Sequence, residues 1–306
     1  MGSGEVAKPT LARLLDADEV DVVAVVTQPD RPKGRKLRVA PCPIKAFAEE
    51  RGILVLAPEN VGADASVDEI RDLAPDLIVV AAYGQYIKPA ILKIPPLEAI
   101  NLHPSLLPKY RGAAPVQMAI AEGETTTGVT ILYVSKEMDA GDIILQEEIC
   151  IGPDDTAETL FPRLAERGAD LVLKVISLLE RGEAPRTPQD HDAAVHVHKL
   201  TREDGRIHWT LPAVTIRNRI RGFTPWPGCW CETAPGSGRI LKVLSARLEE
   251  GSGDPGTVLE GSGEGPLIAT GQRALRLLEL QPEGKRPMNG AAFLHGHPLM
   301  EGDRLG

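Results

Sequence analysis

Asn101, His103 and Asp139 are the residues of this sequence best placed to do chemistry. From Ala99 to His103 the apolar Ile100 and Leu102 alternate with the polar Asn101 and His103. That is the pattern of a short strand whose two polar side chains leave by one face. Pro104 has no N–H to donate, so the ladder ends there. An amide and an imidazole at a strand's C-terminal end stand where open α/β sheets bind ligands. Either residue alone is more often a structural hydrogen-bonding group than a catalyst. A carboxylate shifts that balance: a second strand is expected over residues 128–135, running into Lys136-Glu-Met-Asp-Ala-Gly-Asp142. In this Gly-bearing loop Asp139 is positioned to orient His103 or to share a water with it.

The elements that must carry these residues read as a doubly wound, mostly parallel α/β sheet followed by a different kind of domain. Residues 20–27 and 77–82 are near-continuous apolar runs, as parallel strands covered on both faces are. The second run ends at Tyr83 and Gly84, a close turn whose tyrosine either lines a pocket or packs under a loop. Residues 28–43 hold four prolines and are expected to be an irregular exposed loop. A helix is expected over residues 113–121 and an edge strand over 143–149. Asp155-Thr-Ala-Glu158 reads as a capping box opening a helix that ends near Arg181, with Gly182 beyond it.

A length of 306 residues suits two domains, placed at 1–182 and 199–306 with a linker at 183–198. After the linker, short apolar runs punctuated by Gly, Ser and Pro predict a small barrel, OB-like in outline, with one helix over 212–221. The N-terminus is unusual: a doubly wound domain opens with a buried strand feeding a Gly-rich turn, and Met1-Gly-Ser-Gly-Glu5 presents only the turn. The expectation is that the first strand, roughly five residues, is missing and that the sheet lacks an inner strand.

Charge is segregated. On a chain of net charge −9, Arg31, Lys33, Arg35, Lys36, Arg38 and Lys45 follow one another with no acid between the first and last. Residues 199–247 hold nine Lys or Arg against three Asp or Glu, with Arg217 and Arg221 one helical turn apart. Both stretches point to an anionic partner. No apolar run approaches the ~20 residues of a membrane span, and no signal peptide precedes the first charged helix. A cytoplasmic monomer without membrane contact is expected. Cys229-Trp-Cys231 has the wrong spacing for a zinc pair, so free thiols and no metal are expected.

Asn101-x-His103, Ser105-Leu-Leu-Pro108, Arg111-Gly-Ala-Ala-Pro115 and Met138-Asp-Ala-Gly-Asp142 together resemble the folate-dependent formyltransferases. The resemblance implies that Asn101, His103 and Asp139 form the catalytic trio. It also implies that Ser105, Leu106, Leu107 and Pro108 contact the cosubstrate, 10-formyltetrahydrofolate, with Tyr83 and Gly84 as further candidates. Gln28-Pro-Asp-Arg-Pro-Lys-Gly-Arg35 resembles the loop by which the tRNA-acting branch of the family holds an acceptor stem, Arg35 matching its central arginine. Arg31, Lys33, Lys36 and Arg38 join it as expected contacts, and Arg217 and Arg221 do so in the second domain. The resemblance continues through Thr201-Arg-Glu-Asp-Gly-Arg-Ile-x-Trp209 and Ile220-Arg-Gly-x-x-Pro-Trp-Pro-Gly228. It implies formyl transfer to the α-amine of initiator methionyl-tRNA, in translation initiation. Two alternatives stand beside it. A sugar-nucleotide formyltransferase would share the trio without needing the basic loop, and a catalytically dead RNA-binding relic would explain a missing strand without needing the trio.

Overall fold

The computed structural model describes residues 1–33 and 38–306. From the N-terminus it carries α1 (Ala7–Asp16), β1 (Val25–Val26), β2 (Arg31–Lys33), β3 (Arg38–Ala40), α2 (Pro43–Glu49) and β4 (Val55–Leu56). Next come α3 (Asp64–Asp72), β5 (Ile78–Ala81), α4 (Pro89–Leu92), β6 (Ala99–His103), β7 (Arg111–Gly112) and α5 (Pro115–Ala121). The middle of the chain holds β8 (Thr126–Tyr133), β9 (Ile143–Cys150), α6 (Ala157–Glu180) and β10 (His196–Val197). The rest comprises α7 (Ala213–Gly222), β11 (Cys229–Glu232), β12 (Ile240–Glu249), β13 (Val258–Glu260), β14 (Leu267–Ala269), β15 (Ala274–Pro282), β16 (Met288–Asn289) and α8 (Gly290–Gly296).

These elements form two compact units. One comprises residues 1–112, 126–150 and 161–197; the other comprises 113–125, 151–160 and 198–306. The stretch expected to be a linker, 183–198, is therefore almost wholly part of the first unit. Thr187 exchanges backbone hydrogen bonds with Ile143, and β10 pairs in parallel with β7.

The sheet that bears the site has the order β5-β6-β8-β9 and is mixed rather than mostly parallel. β5 and β6 are parallel, whereas β8 runs antiparallel to β6 and β9 antiparallel to β8. For β9 the physical reason is connection length: residues 134–142 are enough for a hairpin loop but too few for the crossover that a parallel neighbour needs. β8 is buried along seven of its eight positions, while β9 alternates buried and more open residues as an edge strand does.

β1 pairs only with β4, in a separate two-stranded sheet. Between β1 and β5 run Met1 and Gly2. Gly2 N donates to Val26 O (3.0 Å), the Met1 ammonium to Val79 O (2.6 Å), and Ala81 N to Met1 O (2.9 Å). Along the same seam runs a cavity of about 390 Å³ lined by Leu11, Leu14, Val25, Val79, Leu97 and Ile176 among others. Of the apolar run 20–27, Val25–Val26 forms the strand, flanked by Val25 N to Leu54 O (2.8 Å) and Thr27 N to Leu56 O (2.8 Å). The segment 28–43, expected to be irregular, holds the antiparallel hairpin of β2 and β3. A two-stranded ribbon leaves one side of each strand unpaired, and a proline is tolerated there. Gly34, Arg35, Lys36 and Leu37 lie outside the described residues.

The cap of α6 is shifted by one residue from the expected box. Thr156 N donates to Thr159 Oγ1 (3.0 Å) and Thr159 N to Thr156 Oγ1 (3.3 Å), leaving Asp155 to accept from Gly152 N (2.7 Å). At its other end Gly182 adopts a φ of +66°, and the amides of Gly182 and Glu183 return to Leu179 and Leu178, closing a Schellman motif.

The second unit is built on an antiparallel sheet of order β11-β12-β15-β14-β13, with β16 on β15. Register shifts at Val243, Ser245 and Ala246 mark a bulge that bends β12. The C-terminal residues complete the ring. Val258 N donates to Asp303 O (2.8 Å), Leu305 N to Gly256 O (2.9 Å), and Gly306 and Glu232 exchange both backbone bonds. The outer strands β13 and β11 thereby lose their open edges, as a small barrel requires. Ala213, Ile216, Ile220 and Phe223, spaced three or four apart, turn one face of α7 into a core that includes Leu241, Leu275, Leu277 and Phe293.

All four cysteines are free, and only Cys150 is exposed. Burial pushes the Cys229 and Cys231 thiols up to about 12. Because the thiolate is the reactive species, an aromatic disulfide reagent should titrate one thiol in the native protein and four after denaturation. Cys150→Ser should abolish the native reaction; rapid labelling of a second cysteine would contradict this packing. Among the described residues, no helix is long and apolar enough to cross a membrane.

Candidate active site

Asn101 and His103 stand on β6, two residues apart and on one face. Asp139 arrives by a longer route. Because β8 is antiparallel to β6, its C-terminal end lies beside the start of β6, where Val134 N donates to Ala99 O (2.8 Å). The loop must therefore fold back over the sheet to bring Asp139 to the other end of the strand. It does so: Asn101 Nδ2 donates to Asp139 Oδ1 (3.3 Å), and His103 Nδ1 lies 3.6 Å from Asp139 Oδ2. The same carboxylate oxygen accepts from Gly112 N (2.9 Å). His103 Nε2 is 2.9 Å from Tyr110 O, to which it is the donor, so Nδ1 is the nitrogen turned to the carboxylate. His103 is only 4% exposed, an imidazole held in place by the protein rather than by solvent.

Asp139 has a φ of +52°, in the left-handed region that aspartate tolerates better than most residues. Gly112, its amide partner, has a φ of +112°, and a Cβ there would stand 2.2 Å from Val197 O, so no side chain fits beside β10. Two buried polar residues lie behind the loop. Gln189 Nε2 donates to Asp139 O (2.9 Å) and Gly141 O (2.7 Å), while its Oε1 accepts from Arg111 Nε (3.0 Å) and Nη2 (2.7 Å). Gln189 lies in the stretch expected to be a linker, and no local pattern marks it.

The turn after β6 is fastened from the neighbouring strands. Thr130, opposite His103 on β8, donates its hydroxyl to Ser105 O (2.6 Å) and accepts from Leu107 N (3.2 Å). Gln146, opposite Thr130 on β9, donates to Leu107 O (2.9 Å) and Thr130 Oγ1 (2.8 Å). Sequence reading missed both, because a threonine and a glutamine on strands carry no signal until the register is known. The turn itself divides: Ser105 and Leu107 are buried, with Ser105 Oγ donating to Lys109 O (2.7 Å), and Leu106 and Pro108 are half-buried. What this turn offers a ligand is Leu106, Pro108 and backbone rather than the Ser105 hydroxyl.

Other expected site residues are placed differently. Tyr83 packs in the core with Val26, Val61 and Ile87, and burial pushes its hydroxyl up to about 12. Gly84 accommodates Gln28, whose amide donates to Tyr83 O (3.0 Å). Neither is tied to the trio by a hydrogen bond among the described residues. Arg31 makes an exposed pair with Glu59 (3.3 Å), and Lys33 and Arg38 are backbone partners in the hairpin register. Arg217 and Arg221, expected on phosphates, are held within the second unit. Arg217 binds Asp154 Oδ1 (2.6 Å) and Pro153 O (3.1 Å); Arg221 donates to Gly152 O, Asp155 O and Asn218 Oδ1. Burial, with Arg217 nearby, lowers the Arg221 pKa from its ordinary value.

A sheet-end amide and imidazole joined by a carboxylate on a returning loop supply oxyanion donors and a proton acceptor, the groups that an acyl transfer requires. The chain belongs to the formyl transferase family: "Formyl transferase" matches residues 1–176 and "Formyl transferase, C-terminal domain" matches residues 199–298. It is similar over its whole length to methionyl-tRNA formyltransferases. That of Geobacter sulfurreducens is 44% identical over 100% of this chain and 95% of its own, and that of Myxococcus xanthus 42% identical over 99% and 96%. Solved structures share the fold. WlaRD, a sugar 3N-formyl transferase, superposes with a TM-score of 0.67 at 19% identity, covering 93% of this chain and 97% of its own. HypX from Aquifex aeolicus in complex with tetrahydrofolic acid gives 0.60 at 22% identity, over 92% of this chain and 50% of its own.

Proposed function

We propose that this chain transfers the formyl group of 10-formyltetrahydrofolate to the α-amine of methionine on initiator methionyl-tRNA. The observation that carries the reading is the convergence of Asn101, His103 and Asp139 in a chain whose full-length relatives are methionyl-tRNA formyltransferases. The folate supplies an N-formyl group, an acyl donor that needs no metal. Amide, imidazole and carboxylate fit that chemistry: Asn101 and a protonated His103, through Nδ1–H, donate to the oxygen as charge develops on it, and Asp139 relays the proton that the amine gives up to the folate nitrogen as the bond between that nitrogen and the formyl carbon breaks. An α-amine with a pKa of ~7.7 to 8.0 is partly neutral at physiological pH, so the nucleophile is available. Leu106 and Pro108 form the surface of the folate-facing turn.

The basic segment 31–38, with Arg31, Lys33, Arg35, Lys36 and Arg38, is the proposed seat of the acceptor stem. In the second unit, Arg202 and Arg206 lie over the Trp230 ring at 5.5 and 5.4 Å, and exposed Lys242 is opposite Trp230 in register. Those cations face RNA in place of Arg217 and Arg221.

Purified protein given labelled formyl-folate and, separately, charged initiator tRNA, uncharged tRNA and an amino-sugar nucleotide should formylate the charged tRNA alone. Transfer to the sugar and none to tRNA would overturn the proposal. Arg35→Ala should weaken use of charged tRNA and leave slow formylation of a minimal methionyl acceptor unchanged, because a basic segment of this kind positions RNA and not the carbonyl. Equal losses with both acceptors would show that Arg35 supports the fold instead. Binding of tRNA should weaken steeply with salt, as counterion release demands.

A further inference from the structure

We propose that Gln189 is the positioning residue for Asp139, holding the carboxylate-bearing loop in its reactive placement through a relay from the buried guanidinium of Arg111. The inference rests on the reading of Asp139 as a member of the catalytic trio.

The loop from 134 to 142 does little to hold itself. Its internal contacts are Ala140 N to Glu137 O (3.4 Å) and Ser135 Oγ to Glu137 O (2.8 Å), and its base is closed by Tyr133 N to Asp142 O (2.9 Å). Asp139, at its tip, has a backbone conformation that needs support from outside. Gln189 provides it on both sides of Ala140, since its two N–H groups bind the carbonyls of Asp139 and Gly141. Its carbonyl oxygen takes two hydrogen bonds from Arg111, so every hydrogen-bonding position of the amide is filled and the side chain has one orientation.

Arg111 makes this more than a buried polar contact. It is 3% exposed, yet among the described residues no carboxylate lies within ion-pair distance of it; its third contact is His191 Nδ1 (3.3 Å). A buried cation ordinarily has an anionic partner. Here its charge falls on the Gln189 carbonyl, which polarises the amide and strengthens the N–H bonds made at the opposite end to the Asp139 loop. The chain Arg111, Gln189, Asp139 therefore runs through consecutive hydrogen bonds from a fixed strand, β7, to the carboxylate-bearing loop.

Gln189→Glu separates positioning from packing. A carboxylate keeps, and strengthens, the contact with Arg111 but has no N–H for the loop carbonyls. The ion pair gained with Arg111 offsets the carboxylate oxygen now turned to two carbonyls, so the expected result is a folded protein whose melting temperature moves by only a few degrees, with kcat per folded enzyme lowered about tenfold to a hundredfold, the scale of a small misplacement in an active site. KM for folate and for charged tRNA should stay within about twofold. Gln189→Leu, which loses both sets of bonds, should lower kcat per folded enzyme by at least as much and also lower the melting temperature. Parental kcat per folded enzyme in both variants, or a change confined to KM or melting temperature, would overturn the proposal. Asp139→Asn assayed in parallel keeps the two readings apart. If that variant retains full activity, the trio itself is wrong; if it is inactive while both Gln189 variants are normal, only the role of Gln189 fails.

Discussion

His103→Ala should lower kcat for formyl transfer by two orders of magnitude or more while leaving tRNA affinity within about threefold. The ring is buried and held by Tyr110 O at 2.9 Å, with Nδ1 turned to Asp139. It is preorganised, so the protein does not have to move it into place as charge develops. Removing one such donor from a comparable acyl-transfer site costs about 2.7 to 4 kcal/mol of transition-state stabilisation, or 10² to 10³ in rate. Asn101→Ala should act on the same scale, and the double variant should lose less than the product of the two, because residues working as one unit are not additive. The tRNA is expected on the cationic surfaces and not on β6, so its binding is the internal control. Single-turnover formylation of charged tRNA, with binding measured separately, checks both parts. Full kcat in either single variant would remove β6 from the chemistry.

Asp139→Asn should be the second large effect, again about 10² in kcat or more. The carboxylate accepts from Asn101 Nδ2 through one oxygen and from Gly112 N through the other. An asparagine has a single acceptor oxygen, so one of those donors would face an NH₂ group instead. The side chain would also lose its capacity to take up the proton of the attacking amine. Its volume is nearly unchanged, so the folded state should persist: circular dichroism should overlay the parent's, and the melting temperature should fall by only a few degrees. Loss of activity with a native spectrum is the outcome that assigns Asp139 to chemistry. Activity that declines only in step with folded protein would make it a loop anchor alone.

The amino-acid sequence by itself determined the parts whose cause is local. Alternation at Ile100 and Leu102, and the proline after His103, were enough to set Asn101 and His103 on one face at a strand end. The second domain was legible for the same reason, since short apolar runs broken by Gly and Pro allow little besides short strands. Its closure was not: the bonds from residues 302–306 to β13 and β11 join positions far apart in the chain. The direction of β9 was equally out of reach, because a nine-residue connection becomes a hairpin only once the neighbouring strand is known. Tertiary structure also decided which polar groups remain available. Arg217 and Arg221 look like phosphate ligands on a helix, but the loop at 152–155 engages both. Ser105 turns its hydroxyl inward, and Tyr83 joins the core. Gln189 shows the limit most plainly. Its four partners' atoms come from Arg111, Asp139 and Gly141, some 50 to 80 positions away, and a hydrogen bond depends on angle and on tenths of an ångström that only the assembled fold specifies.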